Sequence, residues 1–197
     1  MENRFDEFRS GFVAIVGAPN VGKSTLLNQL LGQKISITSK KPQTTRNRIL
    51  GVLHRPESQL VFIDTPGIHK AKRPLNIRIV EAALSALGNV DVVLVMVDVA
   101  NPDPDSESLL VKKLEKIKQP VVLVLNKTDL VKKPALLSIM DQWATAYIFE
   151  SIIPVSAILG AQIEDLIDTM EALLPNGPPF FPEDTLTDFP ERFLAAE

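Results

Sequence analysis

The chain has 197 residues, of which 45% are hydrophobic and 23% charged, and its formal net charge is −3 at pH 7. This length suits one well-buried α/β domain with a short appendage, and the slightly negative charge gives no overall attraction to nucleic acid. The sequence contains no cysteine, which excludes disulfides, thiolate zinc sites and a cysteine nucleophile.

Neither the N-terminal segment nor the longest apolar run indicates a secreted or membrane protein. The N-terminal segment Met1–Arg9 mixes acids with bases and lacks the apolar stretch of a signal peptide. The longest apolar run, Val92–Val97, is followed by Asp98 and is far too short to cross a bilayer. We therefore expect no secretion signal and no membrane-spanning segment.

Strand-like and helix-like segments alternate along the chain. The predicted strands are Phe12–Val16, Ile49–Leu53, Leu60–Ile63, Val92–Val97, Val121–Leu125 and Ile152–Val155. The predicted helices are Ser24–Leu31, Leu75–Leu87, Ser106–Lys118, Pro134–Ala146 and Ile163–Leu173. Several strands are unbroken β-branched runs, typical of parallel strands covered on both faces. The second and third strands, joined by His54–Gln59, indicate an antiparallel hairpin. The predicted fold class is α/β: a mostly parallel six-stranded sheet with one antiparallel edge strand and helices on both faces.

The first strand is followed by Gly17–Ser24, which has the phosphate-loop spacing Gly-x-x-x-x-Gly-Lys-Ser and leads into a helix. Glycine at both ends lets backbone N–H groups turn inward on an anion. Lys23 would place its charge on the outer phosphates, and Ser24 would offer a hydroxyl to Mg²⁺. The alternative is a glycine turn with a surface lysine. The nucleotide-binding residues predicted here are Gly17, Ala18, Pro19, Asn20, Val21, Gly22, Lys23, Ser24 and Thr25.

Two polar segments further along are placed to act on the outermost phosphate. Asp64-Thr-Pro-Gly67 follows a predicted strand, so the carboxylate can hold Mg²⁺ through water and the Gly67 N–H can approach the phosphate. An ordinary tight turn would explain the same residues. The polar segment Lys40–Arg48 places Thr45, in preference to Thr44, where it can close on Mg²⁺. The predicted catalytic residues are Lys23, Thr45 and Gly67, and the predicted Mg²⁺ ligands are Ser24, Thr45 and Asp64.

Asn126-Lys-Thr-Asp129, directly after an apolar strand, selects guanine. The Asp129 carboxylate can accept two hydrogen bonds from N1–H and the 2-amino group, whereas adenine would leave it unpaired. Lys127 can lay its methylene stem over the base plane. The alternative is a capped loop with a surface lysine. Ser156 and Ala157 end the next strand, and the Ala157 N–H is a candidate donor to the guanine 6-oxo oxygen.

Five segments carry a resemblance to a known family: Gly17–Ser24, Gln43–Arg46, Asp64–His69, Asn126–Asp129 and Glu191–Glu197. Together they resemble the GTPase superfamily, and their details are most similar to the Era family of bacterial ribosome-associated GTPases. The resemblance covers essentially the whole chain. It implies a P-loop GTPase fold, GTP and GDP as substrate and product, Mg²⁺ as cofactor, and a role in small ribosomal subunit assembly and ribosomal RNA maturation. It also implies a cytoplasmic protein, with peripheral membrane association in some members.

The resemblance further implies a C-terminal KH domain that binds ribosomal RNA, but the sequence has no Gly-x-x-Gly loop, the backbone clamp of that module. We expect residues 1–10 to be an N-terminal extension and residues 11–174 to be the GTPase domain. Residues 175–197 are expected to be a proline-rich linker and the start of a truncated C-terminal domain. The alternative for the last residues is a frayed tail.

Ile68 occupies the position where many GTPases carry a water-orienting glutamine, and isoleucine can neither donate nor accept a hydrogen bond. We therefore expect slow intrinsic turnover. Resemblance to glutamine-lacking translation GTPases implies that Asn20 helps to bind K⁺, whereas the plain alternative is a loop-stabilising turn residue. We expect Lys40–Arg48 and the segment after Gly67 to be mobile. Their basic residues either contact ribosomal RNA or a partner or form a solvated surface: Lys40, Lys41, Arg46, Arg48, Lys70, Lys72 and Arg73.

Three functions are compatible with these motifs. The first is an Era-type GTP-hydrolysing switch. The second is a nucleotide-gated binding module with negligible hydrolysis. The third is the GTPase domain of a tRNA-modifying protein, which shares the Gly-x-Pro-Asn loop but normally sits inside a larger helical protein.

Overall fold

The computed structural model describes residues 7–32, 49–64 and 90–182. The predicted helix Leu75–Leu87 and residues 183–197 lie outside these ranges. The helices of the described part of the chain include none that is long and apolar enough to span a membrane.

The described chain alternates strands with helices, as predicted. The strands are β1 (Arg9–Gly17), β2 (Ile49–Arg55), β3 (Ser58–Asp64), β4 (Val92–Asp98), β5 (Val121–Asn126) and β6 (Ser151–Val155). The helices are α1 (Lys23–Leu31), α2 (Pro104–Leu114), α3 (Lys133–Ala146) and α4 (Ile163–Leu173), and Thr128–Leu130 forms one 3₁₀ turn. Every predicted strand is present, with ends shifted by up to three residues.

The six strands form one sheet in the order β2-β3-β1-β4-β5-β6. All neighbours are parallel except β2 and β3, which pair antiparallel at the edge. The predicted α/β class, with a mostly parallel sheet and one antiparallel edge strand, is confirmed. Because the carboxyl ends of β1, β3, β4, β5 and β6 meet at one side of the sheet, the loops that follow them converge there.

Successive residues of the central strand β1 face opposite sides of the sheet, as strand geometry requires. Val13 belongs to a buried apolar cluster with α1 and α4, and Ala14 belongs to a second cluster with α2 and α3. The first cluster includes Val13, Ile15, Leu26, Leu27, Leu166 and Ile167, and the second includes Ala14, Val16, Leu110, Leu114 and Trp143. Burial on both faces explains why β4 and β5 are continuous apolar runs.

Two element boundaries differ from the sequence prediction because backbone pairing extends past the apolar residues. β1 begins at Arg9 because Arg9 and Ser10 pair with Ser58 and Gln59 of β3. Arg9 and Ser10 are therefore part of the sheet. The hairpin turn is reduced to residues 56 and 57, since the predicted loop His54–Gln59 is mostly paired strand.

The segment after α4, predicted as an extended linker, lies against the domain. The Gly177 N–H donates to the main-chain oxygen of Phe8 at 2.8 Å, and the Ser10 hydroxyl donates to the main-chain oxygen of Pro178 at 2.7 Å. Phe180 packs on Phe12 with ring centroids 4.9 Å apart. The extended conformation was foreseen from the prolines, but docking on β1 was not.

Gln59, a fully buried polar residue, holds this segment. Its Oε1 accepts the N–H groups of Phe180 at 2.7 Å and Phe181 at 3.0 Å. Its Nε2 donates to the main-chain oxygen of Phe181 at 2.7 Å and to Nδ1 of His54 at 3.2 Å. The amide is therefore satisfied on both sides, which is what burial of a polar side chain requires.

Candidate nucleotide-binding site

The loop between β1 and α1 has the backbone that phosphate binding needs. Asn20 and Gly22 both adopt left-handed conformations, with φ of 64° and 104°. A Cβ at Gly22 would lie 2.4 Å from Nδ2 of Asn126, and one at Gly17 would lie 2.3 Å from the main-chain oxygen of Met96. Both positions therefore require glycine, for conformation at Gly22 and for close approach at both.

Lys23, the first residue of α1, is buried beneath this loop. Its Nζ donates to the main-chain oxygens of Gly17 at 3.2 Å and Ala18 at 3.0 Å. Gly22, at the N-cap of α1, has no side chain to accept the N–H groups of the first turn. A buried ammonium beside a helix N-terminus without a side-chain cap favours an anion such as a phosphate.

Asn126, the last residue of β5, joins the phosphate loop to the loop after β6. Its Nδ2 donates to the main-chain oxygen of Val21 at 2.7 Å, and its Oδ1 accepts the Ala157 N–H at 3.0 Å. Asn126 is almost fully buried, so the loss of either bond would leave a buried polar group unpaired.

The Ala157 N–H donates to Oδ1 of Asn126. Parallel pairing of Asn126 with Val155 places the Asn126 amide next to the turn that follows β6, which explains this contact. The bond helps to hold Asn126 in place. Donation of the Ala157 N–H to a guanine 6-oxo oxygen stays a prediction.

Asp129 lies in the 3₁₀ turn after β5, with its carboxylate fixed from one side. The Ser156 hydroxyl donates to Oδ1 of Asp129 at 2.5 Å. Ser156 is almost fully buried, whereas Asp129 is exposed. A carboxylate that is held at one edge and open at the other suits recognition of a ligand with paired N–H donors.

Lys127 also has a left-handed backbone, with φ of 67°. Its Nζ donates to the main-chain oxygen of Asn20 at 3.0 Å and to Oδ2 of Asp98 at 2.5 Å. Asp98, the last residue of β4, was not predicted as a site residue. Its position at the carboxyl end of a buried parallel strand next to β5 was the signal that could have found it.

A cavity of about 250 Å³ lies between the phosphate loop, the end of β4 and α2. Its lining includes Asp98, Asp103 and Glu107. Burial raises the pKa of Glu107, and the negative charges of Asp103 and Asp98 raise it further, although a hydrogen bond from the Asp103 N–H opposes this. This side of the loop is acidic, unlike the phosphate side where Lys23 lies.

The structure thus brings the predicted phosphate-loop residues 17–25 together with Asn126, Lys127, Asp129, Ser156 and Ala157. Asp64 ends β3 and pairs with Ile15 of β1, two residues before Gly17. Thr45, Gly67 and Ile68 lie outside the described residues, as do the basic residues of the two predicted mobile segments.

This fold and its phosphate loop define the chain as a P-loop nucleotide-binding protein. Residues 12–127 match the family described as 50S ribosome-binding GTPase. The chain belongs to this family of GTPases.

The chain is also similar to individual proteins of the Era family. The chain is 53% identical over 191 residues to the GTPase Era of Geotalea uraniireducens strain Rf4 and 55% identical over 192 residues to that of Geobacter sp. strain M21. In both cases 97% of this chain is covered, and it spans 64% of the relative's length. The resemblance to the Era family is confirmed, and neither alternative function is favoured.

A solved structure supports the same assignment. The crystal structure of Era in complex with MgGDPNP and nucleotides 1506–1542 of 16S ribosomal RNA superimposes with a TM-score of 0.88 at 43% identity. The match covers 96% of this chain and 65% of that one.

Proposed function

We propose that this chain binds guanine nucleotides and hydrolyses GTP as a slow molecular switch. The observation that carries the proposal is the pair of hydrogen bonds made by Asn126, which joins the phosphate loop to the base-recognition corner. Phosphate binding and base recognition are thereby parts of one rigid site. Family membership supports the same reaction.

The residues of the phosphate loop fit a triphosphate with Mg²⁺. Lys23 is buried where it can neutralise developing charge on the outer phosphates. Ser24, Thr45 and Asp64 are the proposed Mg²⁺ ligands, with Gly67 donating its N–H to the outermost phosphate. When bound, Mg²⁺ would neutralise phosphate charge during transfer to water. The similar Era structure contains Mg²⁺ with a GTP analogue.

The proposed hydrolysis is slow because Ile68 cannot orient water. We propose that Asn20 helps to bind K⁺ beside the phosphates, in place of a glutamine. Asn20 has an exposed side chain on a left-handed backbone, and Lys127 fixes its main-chain oxygen. The support for this role is the exposure and fixed position of Asn20 within the phosphate loop.

We further propose that the chain acts in small ribosomal subunit assembly and ribosomal RNA maturation, in the cytoplasm. The support is the similar Era crystallised with nucleotides of 16S ribosomal RNA, which belongs to the small subunit. The family description, 50S ribosome-binding GTPase, supports a ribosomal role but names the large subunit. The chain spans 64% of the length of the similar GTPase Era, so the partners of the whole protein are part of this proposal. Residues 11–174 are its proposed GTPase domain. Peripheral membrane association stays a prediction.

Base choice is the direct test of the proposed function. Asp129→Asn replaces a two-bond acceptor for guanine with an amide that can donate to the 2-oxo group of xanthine. We expect the wild type to prefer GDP and Asp129→Asn to prefer XDP, measured by competition against a fluorescent nucleotide. Asp141→Asn, at an exposed position on α3, is the matched control and should keep the preference for GDP. Unchanged GDP preference in Asp129→Asn would refute the assigned role.

Turnover separates a hydrolase from a binding module. We expect the purified chain, loaded with GTP and Mg²⁺, to release phosphate slowly but measurably in a single-turnover assay. Lys23→Ala should abolish this release, because it removes the charge on the outer phosphates. Retained GTP with no phosphate release from the wild type would favour the binding module.

A further inference from the structure

Asp98 anchors the lysine of the base-recognition motif. Its Oδ2 accepts the Lys127 ammonium at 2.5 Å, and the carboxylate is almost fully buried. Its Oδ1 accepts the main-chain N–H groups of Ala100 at 2.9 Å and Asn101 at 3.1 Å. The backbone donors hold the carboxylate before any ligand arrives, so it offers Lys127 a fixed acceptor.

Lys127 connects three strand ends through this anchor. It follows the last residue of β5, its Nζ reaches Asp98 at the end of β4, and the same Nζ donates to the main-chain oxygen of Asn20 after β1. Lys127 and Asn20 both have left-handed backbones, a conformation that asparagine tolerates but lysine rarely adopts. The hydrogen bond from Lys127 Nζ to the Asn20 oxygen thus links these two positions, and the ion pair with Asp98 holds Nζ where it makes that bond.

A lysine side chain has several rotatable bonds, and fixing both of its ends orders the methylene stem between them. We propose that Asp98 is a positioning residue for guanine nucleotides. By fixing Lys127 Nζ, it presents the methylene stem to the base. It also keeps the hydrogen bond from Nζ to the Asn20 main-chain oxygen, which holds the phosphate loop in place. This inference rests on the proposed function, because it concerns the same nucleotide site.

The variant Asp98→Asn tests the charge with little change in shape. The amide keeps an oxygen for the N–H groups of Ala100 and Asn101, but it loses the charge that holds Lys127. The pair is partly exposed, so we expect GDP affinity to fall by about fivefold to tenfold, mainly through faster dissociation. Asp103→Asn is the matched control, since it removes the same charge from the rim of the same cavity, and it should bind GDP as the wild type does.

A double-variant cycle separates positioning from a general structural role. If Asp98 acts through Lys127, Asp98→Asn should weaken GDP binding in the wild type and have no further effect in Lys127→Met. The ratio of GDP to IDP affinity should also stay unchanged in Asp98→Asn, because the stem contacts the base plane and not the 2-amino group. Additive losses in the cycle, or wild-type affinity in Asp98→Asn, would overturn the proposal.

A second variant covers the case in which Asp98→Asn fails to fold. Asp98→Ser keeps a hydroxyl that can accept the turn N–H groups and removes the carboxylate, so the same loss of affinity and the same non-additivity are expected. Wild-type affinity in Asp98→Ser would overturn the proposal. If the wild type does not bind GDP, the proposed function fails. If the wild type binds GDP and the Asp98 variants bind it equally well, only the positioning role is refuted.

Discussion

The hydroxyl of Ser156 donates a 2.5 Å hydrogen bond to the carboxylate of Asp129. Ser156 is almost fully buried in the turn after β6, and Asp129 is exposed in the turn after β5. The bond orients a surface carboxylate from beneath, so the angle at which Asp129 meets a base is set by the sheet. In the proposed function, base recognition by Asp129 would therefore depend on Ser156, a residue that need not touch the base.

The first prediction follows from that bond. Ser156→Ala should weaken GDP binding by about 1 kcal/mol, or roughly fivefold, because one net hydrogen bond to a charged group is lost. Titration with a fluorescent GDP analogue measures the change. Ser138→Ala, on the exposed side of α3, is the control and should bind normally. Equal affinities for wild type and Ser156→Ala would show that Asp129 is oriented by other contacts.

The second prediction concerns the monovalent cation. If Asn20 helps to bind K⁺, single-turnover GTP hydrolysis by the wild type should be several times faster in KCl than in NaCl of the same ionic strength, and Asn20→Gly should lose the difference. Glycine is chosen because the position has a left-handed backbone. Identical rates in the two salts would exclude the cation role.

The third prediction concerns the docked segment after α4. Gln59→Leu removes an amide that makes three hydrogen bonds to Phe180 and Phe181. We expect a loss of about 1–2 kcal/mol in the free energy of unfolding and faster chymotrypsin cleavage after Phe180, because Pro182 protects the bond after Phe181. Urea unfolding and timed proteolysis measure the two effects. Gln142→Leu, at an exposed position on α3, should change neither, and wild-type cleavage of Gln59→Leu would show that the aromatic contact alone holds the segment.

The fourth prediction is a pH effect with a defined sign. Burial raises the pKa of Glu107, so the folded state binds this proton more tightly than the unfolded state does. Protonation of Glu107 therefore stabilises the folded state at low pH, and this stabilisation is lost as the pH rises through the raised pKa. Glu107→Gln should therefore be more stable than the wild type near about pH 7, with the difference fading toward about pH 4.

Urea unfolding at both pH values checks this sign. Glu115→Gln, an exposed carboxylate just past the end of α2, is the matched control and should leave the free energy of unfolding nearly unchanged at each pH. A Glu107→Gln variant less stable than the wild type near neutral pH would mean that the hydrogen bond from the Asp103 N–H outweighs the cost of burial.

Much of the fold was predictable because its signals are local. β4 and β5 are continuous apolar runs, and the motifs that follow β1 and β5 have fixed spacing. Their order along the chain therefore predicts that Gly17–Ser24 and Asn126–Asp129 lie at the same side of the sheet, where the parallel strands end. The ends of β1 and of the hairpin were less predictable. Arg9 and Gln59 are polar residues in strands, held there by pairing with distant backbone rather than by hydropathy.

The sequence by itself determined the class of protein and predicted the nucleotide and the residue types of the site, because glycine conformation, buried-strand composition and motif spacing are properties of short segments. The tertiary structure decided the contacts between segments that are far apart in the chain. Asp98 holds Lys127, Ser156 holds Asp129, the Ala157 N–H holds Asn126, and Gln59 holds the segment after α4. Each is a hydrogen bond whose partner depends on which strands lie side by side, and that order exists only in the folded sheet.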